Sequence, residues 1–210
     1  MYVPNLKFYS INQGNQDNLI CAPNTNQSWF EETAAKYSWD IFNFYDNLFY
    51  AYMDNLYMSM FNLPQNLNRS ESEIFSDCTH GQKLFWTILI FDGDLLNGGI
   101  FQFFWNRAEF VFAMVEVFDE LKMEKIKADY LKCLDEITGL KDVYLNRTKV
   151  KLDFFDNQNR RDRSIKSYSE QASNFKYRDL LDYYYDEEFE KQFRKSVVDY
   201  IDAHRDQFSR

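Results

Sequence analysis

Residues 92–110 read DGDLLNGGIFQFFWNRAEF, and the fold turns on how this stretch is understood. The chain has six glycines in 210 residues, and Gly93, Gly98 and Gly99 all fall here. Two of them sit side by side in front of the densest aromatic run, Phe101–Trp105. Upstream, Gln82–Leu96 holds a near-continuous apolar run, Leu84–Phe91, behind a Thr79/Gln82 start signal. That length and that cap favour a buried helix over a strand. Glycine takes positive φ readily and lets another segment come close. The expected arrangement is therefore a helix that ends at Leu96 or Asn97 and restarts at Ile100. Asn97 is placed to cap the exposed backbone groups. Gln102 and Asn106 are four apart and share a face of the second helix. Their amides need partners, and the free backbone groups at the break are the expected ones. The motif reads either as an architectural corner or as an amide-lined pocket beside a positive helix start, able to hold an anion or a peptide backbone.

Working outward, residues 29–61 are expected to be helical, with Trp39, Phe42, Phe49, Met53, Leu56 and Met60 at helical spacings and Pro64 beyond the end. Ser70 with Glu73 forms a capping-box pattern for a short helix toward Cys78. Phe110–Leu121 is expected to be amphipathic, with Val111, Met114, Val115 and Phe118 on one face. Lys125–Thr138 is expected to be a helix stopped by Gly139. Residues 140–168, with Arg160, Arg161 and Arg163, read as a basic loop or frayed helix. Residues 176–208 close the chain with one or two helices carrying a stripe of Phe189, Phe193, Val197, Tyr200 and Ile201. Residues 1–28, rich in Asn and Gln, read as an N-terminal arm in which Val3, Leu6, Phe8 and Ile11 could form one extended piece. The expected fold class is all-α: a single-domain multi-helix bundle over residues 29–210, broken at Asn-Gly-Gly.

The formal net charge is −9, which is opposite to that of a general nucleic-acid binder and of a basic membrane-surface helix. Residues 1–80 carry −6, residues 81–140 carry −4 and residues 141–210 carry +1. Cys21, Cys78 and Cys133 are an odd, scattered set, which points to a reducing compartment. The start, MYVPNLKFYSINQGNQ, lacks a charged region followed by an apolar one, so no signal peptide is expected. Leu84–Phe91 is too short a run to cross a bilayer. These features together predict a cytoplasmic protein that engages neither membrane nor nucleic acid directly.

No catalytic pattern stands out. His80 and His204 are the only histidines, and neither has a nucleophile and carboxylate beside it. Cys78-x-His80 is a two-ligand fragment, and Cys21, Cys133 and His204 add no supporting spacing. Asp92-Gly-Asp94 lacks a calcium-loop continuation, and no Gly-Lys-Ser/Thr follows the glycines. No metal and no cofactor is expected. Glu31 with Glu32, and Asp186, Glu187, Glu188 and Glu190, are carboxylates able to act as acids, the latter group also fitting a helix start.

The stretch NGGIFQFFWN, residues 97–106, resembles the Asn-Gly-Gly-Phe-x-Gln-(Phe/Tyr)-Phe-x-Asn signature of a bacterial domain family that includes a DNA-mimic protein. Asn97, Gly98, Gly99, Gln102, Phe103, Phe104 and Asn106 match it position by position. Ile100 stands where the family usually has Phe, with Phe101 next to it, and Trp105-Asn106-Arg107 departs from the small or polar continuation of the family. The tail DEEFEKQFRKSVVDYIDAH, residues 186–204, is similar to the family's closing helix, so the resemblance covers about residues 40–208. It implies an all-helical domain able to dimerise, without known catalytic residues. For one type of member it implies mimicry of the charge surface of DNA.

A DNA mimic needs carboxylates at phosphate-like spacing. Duplex DNA carries one charge per about 1.7 Å of axis, and side chains four apart on a helix lie about 5–6 Å apart. Glu116, Glu120 and Glu124 fit such a ladder; Asp92, Asp94 and Glu109 flank the glycine break, and Asp40, Asp46 and Asp54 precede it. Lys122, Lys125 and Lys127 lie close enough to neutralise the ladder. Three functions stay open: an acidic, non-enzymatic protein that sequesters a basic DNA-binding protein by mimicry; a helical interaction domain without mimicry; and an enzyme with a pocket at Gln102 and Asn106.

Overall fold

The computed structural model describes residues 8–12, 25–138 and 165–209. Among them every regular element is helical and no strand is present, in accord with the expected all-α class. In chain order, α1 is Gln27–Tyr37 and α2 is Phe44–Tyr52, which runs on through a π-helical stretch, Met53–Met58, and a last turn, Ser59–Phe61. Then follow α3 (Glu71–Asp77), α4 (His80–Asn106), α5 (Val111–Glu120), α6 (Glu124–Thr138), α7 (Ile165–Asn174) and α8 (Glu187–Ala203). Val3, Leu6, Gly139, Arg160, Arg161 and Arg163, and the readings placed on them, lie outside the described residues.

Two compact units emerge, each assembled from separated segments. One takes Met1–Ser10 and Ile90–Tyr184; the other takes Ile11–Leu89 and Tyr185–Arg210. The division falls inside α4, so no change of composition and no linker marks it in the sequence.

In the second of these units, α3 begins at a full capping box: Glu73 N–H donates to Ser70 Oγ at 3.4 Å, and Ser70 N–H donates to Glu73 Oε2 at 2.8 Å. α4 begins the same way, with Gln82 N–H on Thr79 Oγ1 at 3.2 Å and Thr79 N–H on Gln82 Oε1 at 3.1 Å. Trp86, fully buried, receives the edges of Tyr57, Phe61 and Phe75 at 5.0–5.5 Å. α8 packs along α2. Phe193, Val197, Tyr200 and Ile201 are buried as their stripe predicts, with Phe189 half-buried.

The single helix expected over 29–61 is instead two. The chain leaves helix at Ser38–Asn43, and Trp39 and Phe42 are 77% and 79% exposed, so neither belongs to the buried stripe. The cause is local side-chain competition with the backbone. Asp40 accepts the Asn43 backbone N–H at 3.2 Å and the amides of Asn43 and Asn47, fixing a turn at the start of α2.

α4 is long and apolar enough to cross a membrane by length and composition alone. Most of its apolar side chains are covered by protein instead: Leu84, Phe85, Trp86, Ile88 and Phe91 are each at most 1% exposed, with Leu96 the exception. Its axis also breaks, because Gly98 (φ −165°) and Gly99 (φ 77°) leave helical geometry.

In the other unit, Phe91 is ringed by Phe103, Phe118, Tyr130 and Tyr184 at 5.1–6.1 Å. The amphipathic pattern expected for Phe110–Leu121 is replaced by burial on every face, since Val111–Phe118 are all buried, Glu116 included. Chain on several sides accounts for this. Phe8 packs on Phe112 and Tyr9 on Phe110, each at 4.7 Å; the Tyr9 N–H donates to Glu109 O at 2.7 Å, and the Tyr130 hydroxyl donates to Val111 O at 2.8 Å. α7 starts at the end of the stretch read as a basic loop or frayed helix.

Candidate functional site

The glycine corner is built from the two halves of α4. In a straight α-helix Asp94 and Asn106 would stand about 18 Å apart along the axis. Here Asn106 Nδ2 donates to Asp94 Oδ1 at 2.8 Å, and Gln102 Nε2 donates to the same oxygen at 3.2 Å. Phe91 and Phe103, also twelve residues apart, meet at 5.1 Å. The two halves therefore fold back on each other, as the paired glycines predict. The partner of the amides is the Asp94 carboxylate rather than the free backbone groups of the break, which corrects the sequence expectation. Arg107 adds an ion pair, its Nε 3.6 Å from Asp94 Oδ2.

The two glycines serve different needs. Gly99, at φ 77° and ψ −179°, occupies a region open essentially to glycine alone. Gly98 is extended, and its constraint is space. A Cβ there would lie 1.9 Å from Gln102 Oε1 and 2.7 Å from Gln102 Cδ. The Gln102 side chain thus lies over Gly98 with its oxygen against the backbone and its nitrogen on Asp94. Phe103 and Phe104 of the motif are fully buried, while Asn97 and Asn106 are exposed.

This geometry bears on the pocket reading. Gln102 and Asn106 both direct their amide donors to Asp94 within the corner. The neighbouring rings are covered as well: Phe101 and Trp105 stack at 5.9 Å, and Tyr168 and Phe175 close over Phe101 at 5.4 and 5.6 Å. Phe101, Phe103, Phe104 and Trp105 are all buried.

The nine candidate carboxylates fall into distinct environments. Asp92 is buried and accepts the Tyr184 hydroxyl at 2.7 Å; Glu116 is buried and accepts Ser10 Oγ at 2.7 Å. Asp94, Glu109, Asp40 and Asp46 are half-buried. Asp46 lies 3.3 Å from Arg194, which also pairs with Glu190 and donates to the Tyr50 hydroxyl at 2.9 Å. Hydrogen bonding from Asn43 holds the Asp40 carboxyl below the usual carboxylate range. Asp54, Glu120 and Glu124 are exposed.

The ladder expected on one helix face does not form. α5 ends at Glu120, and Glu124 opens α6. Between them the Lys122 N–H donates to Asp119 O at 3.1 Å and the Met123 N–H to Phe118 O at 2.8 Å, the double closure of a Schellman motif. Of the nearby lysines, Lys127 pairs with Asp119 and Lys125 lies 4.0 Å over the Tyr183 ring.

Charge divides unevenly between the units. The segments Ile11–Leu89 and Tyr185–Arg210 carry 16 acidic and 8 basic residues, a net of −8. The other unit carries 17 acidic and 16 basic residues, a net of −1. Six of the nine candidates, Asp92 to Glu124, thus belong to the nearly neutral unit. Within the acidic unit, Glu31, Glu32, Asp54, Asp186, Glu188 and Asp206 are exposed and form no ion pair among the described residues. In the sequence Glu31, Glu32, Asp186 and Glu188 stand out only as carboxylates able to act as acids, the last two also fitting a helix start. Their association required knowing that the chain's end folds with its first third.

A family model described as DMP19-like protein matches residues 76–204, more than half of the chain. The match takes in the Asn-Gly-Gly motif and the closing helix, and begins later than the motif resemblance suggested. No curated protein and no solved structure matches the chain.

Proposed function

The chain belongs to the DMP19-like protein family, and from that premise we propose that it is a non-enzymatic acidic protein that occupies the DNA-binding surface of a basic protein. The observation that carries this reading is the concentration of charge, −8 of the total −9, in the unit formed by Ile11–Leu89 and Tyr185–Arg210. A dense negative field attracts a cationic DNA-binding surface and competes with phosphate for it. The contact residues in this reading are the unpaired exposed acids Glu31, Glu32, Asp54, Asp186, Glu188 and Asp206, with Asp40 and Asp46 at half-buried positions. Glu120 and Glu124 are secondary, because their unit is nearly neutral. The unpaired buried thiols Cys78 and Cys133 fit a cytoplasmic setting.

The test is competition. The chain is used to capture proteins from cells that express it, and each captured protein is assayed for DNA binding with the chain added. The reading expects displacement of DNA that weakens steeply with salt and is lost when Glu31, Glu32, Asp186 and Glu188 are replaced by their amides. Capture that leaves DNA binding intact, or that salt does not alter, favours the interaction domain without mimicry.

A further inference from the structure

Outside residues 76–204, one face of α1 and the π-helical stretch enclose a cleft of about 360 Å³. Trp29, Glu32, Lys36 and Tyr37 line it from α1, at spacings that place them on a single helix face. Asp54 and Asn55 line it from Met53–Met58. A π-helical turn of this kind is rare and is frequently found at functional sites.

The cleft's polar inventory is one-sided. Glu32 and Asp54 form no ion pair among the described residues. Asn55 donates its Nδ2 to Ala51 O at 2.9 Å, which leaves its side-chain oxygen as an acceptor. Lys36 Nζ sits 4.9 Å over the Tyr37 ring, so an aromatic face of this cleft already holds a cation. Two carboxylates and one ammonium leave the cleft at −1. A ligand that fits must be a monocation, rich in donors, with a flat face for the Trp29 indole. A guanidinium meets all three requirements: it has five N–H donors and no acceptor, it is always charged, and it stacks on aromatic rings. An ammonium lacks the flat face, and an anion would face the Glu32 and Asp54 carboxylates with one ammonium to offset them.

We propose that this cleft is a receptor for an arginine side chain of a protein partner, with Glu32, Asp54 and Asn55 accepting its N–H groups beside Trp29. The inference rests on the preceding reading only in that the partner is basic. The cleft would give a nonspecific charge attraction one anchored side chain.

The probe is Nα-acetyl-arginine amide, titrated into the full chain while the four tryptophan indole N–H resonances are followed by NMR, the Trp29→Phe variant identifying the signal of Trp29. The expected result is a saturable shift of the Trp29 signal, weaker with the lysine analogue and absent with the uncharged citrulline analogue. Asp54→Asn weakens the affinity about tenfold, and Lys36→Met strengthens it, since removal of the resident cation raises the demand for another. Equal response to citrulline, a shift confined to the exposed Trp39, or weakening by Lys36→Met overturns the proposal. The two readings fail separately. If the chain displaces DNA from a captured protein but Trp29 ignores the arginine probe, the cleft is not the anchor. If Trp29 responds and no DNA competition exists, the cleft stands and the mimic reading falls.

Discussion

Gly98 and Gly99 adjoin in sequence but are constrained by different physics. Gly99→Ala places a Cβ on a residue at φ 77° and is expected to cost about 1–3 kcal/mol, read as a lower urea midpoint. Gly98→Ala meets no backbone penalty, since φ −165° is extended. Its cost, about 1–3 kcal/mol, comes from collision with Gln102 and the resulting loss of the Gln102–Asp94 hydrogen bond. The two are separable. In a Gln102→Ala background most of the Gly98→Ala cost should vanish, while that of Gly99→Ala should persist. Equal behaviour of the two in both backgrounds would remove this account of the corner. The sequence disclosed the need for glycine here, but not which glycine bends and which makes room.

At the scale of elements, Lys122 is an unusual helix stop. It adopts φ 56° at the position that Schellman motifs usually give to glycine. A side chain in the left-handed region costs about 1–2 kcal/mol, and glycine's greater unfolded entropy offsets part of the gain from removing it. Lys122→Gly is therefore expected to stabilise by about 0.5–1 kcal/mol in chemical denaturation, without moving the end of α5. The same stop explains why Glu116, Glu120 and Glu124 form no ladder. Periodicity tells which residues share a face only while the helix lasts, and the helices expected over Phe110–Leu121 and Lys125–Thr138 already leave Glu120 and Glu124 on either side of a stop. The interruption at Ser38–Asn43 was harder to read, because Trp39 and Phe42 fit a helical stripe while Asp40 quietly supplied a turn. The Ser70/Glu73 and Thr79/Gln82 starts were legible because both partners of each cap lie within three residues.

For the molecule as a whole, burial leaves a measurable mark on the thiols. Burial pushes Cys78 and Cys133 each from 9.0 to about 12. Both should therefore resist thiol reagents near neutral pH and react only as the chain unfolds, which mass-spectrometric mapping of labelled peptides can follow. The sign of the stability effect follows from linkage. The folded state holds these protons more tightly than the unfolded state does. Their contribution is complete below pH 9 and is lost as pH rises from 9.0 toward 12. Burial, with Asp202 adding to it, also drives the Tyr52 hydroxyl upward, which extends the loss above pH 10.0. Urea midpoints should thus be level up to about pH 8 and fall by about pH 11, less so in a Cys133→Ala variant.

What the sequence determined by itself were the properties set over short separations: helical class, capped starts, the stripe of α8, and a sharp bend at Asn-Gly-Gly. The tertiary structure alone decided where charge resides. Thirds of the chain placed the acidity in its first 140 residues, yet folding joins Ile11–Leu89 to Tyr185–Arg210 and gathers nearly all the excess there. It also turned Asp92 and Glu116 inward to hydroxyl donors and left Glu31, Glu32 and Asp54 at the surface. The reason is physical: backbone propensity acts between neighbours, whereas burial and electrostatic environment depend on which distant segments arrive to cover a side chain.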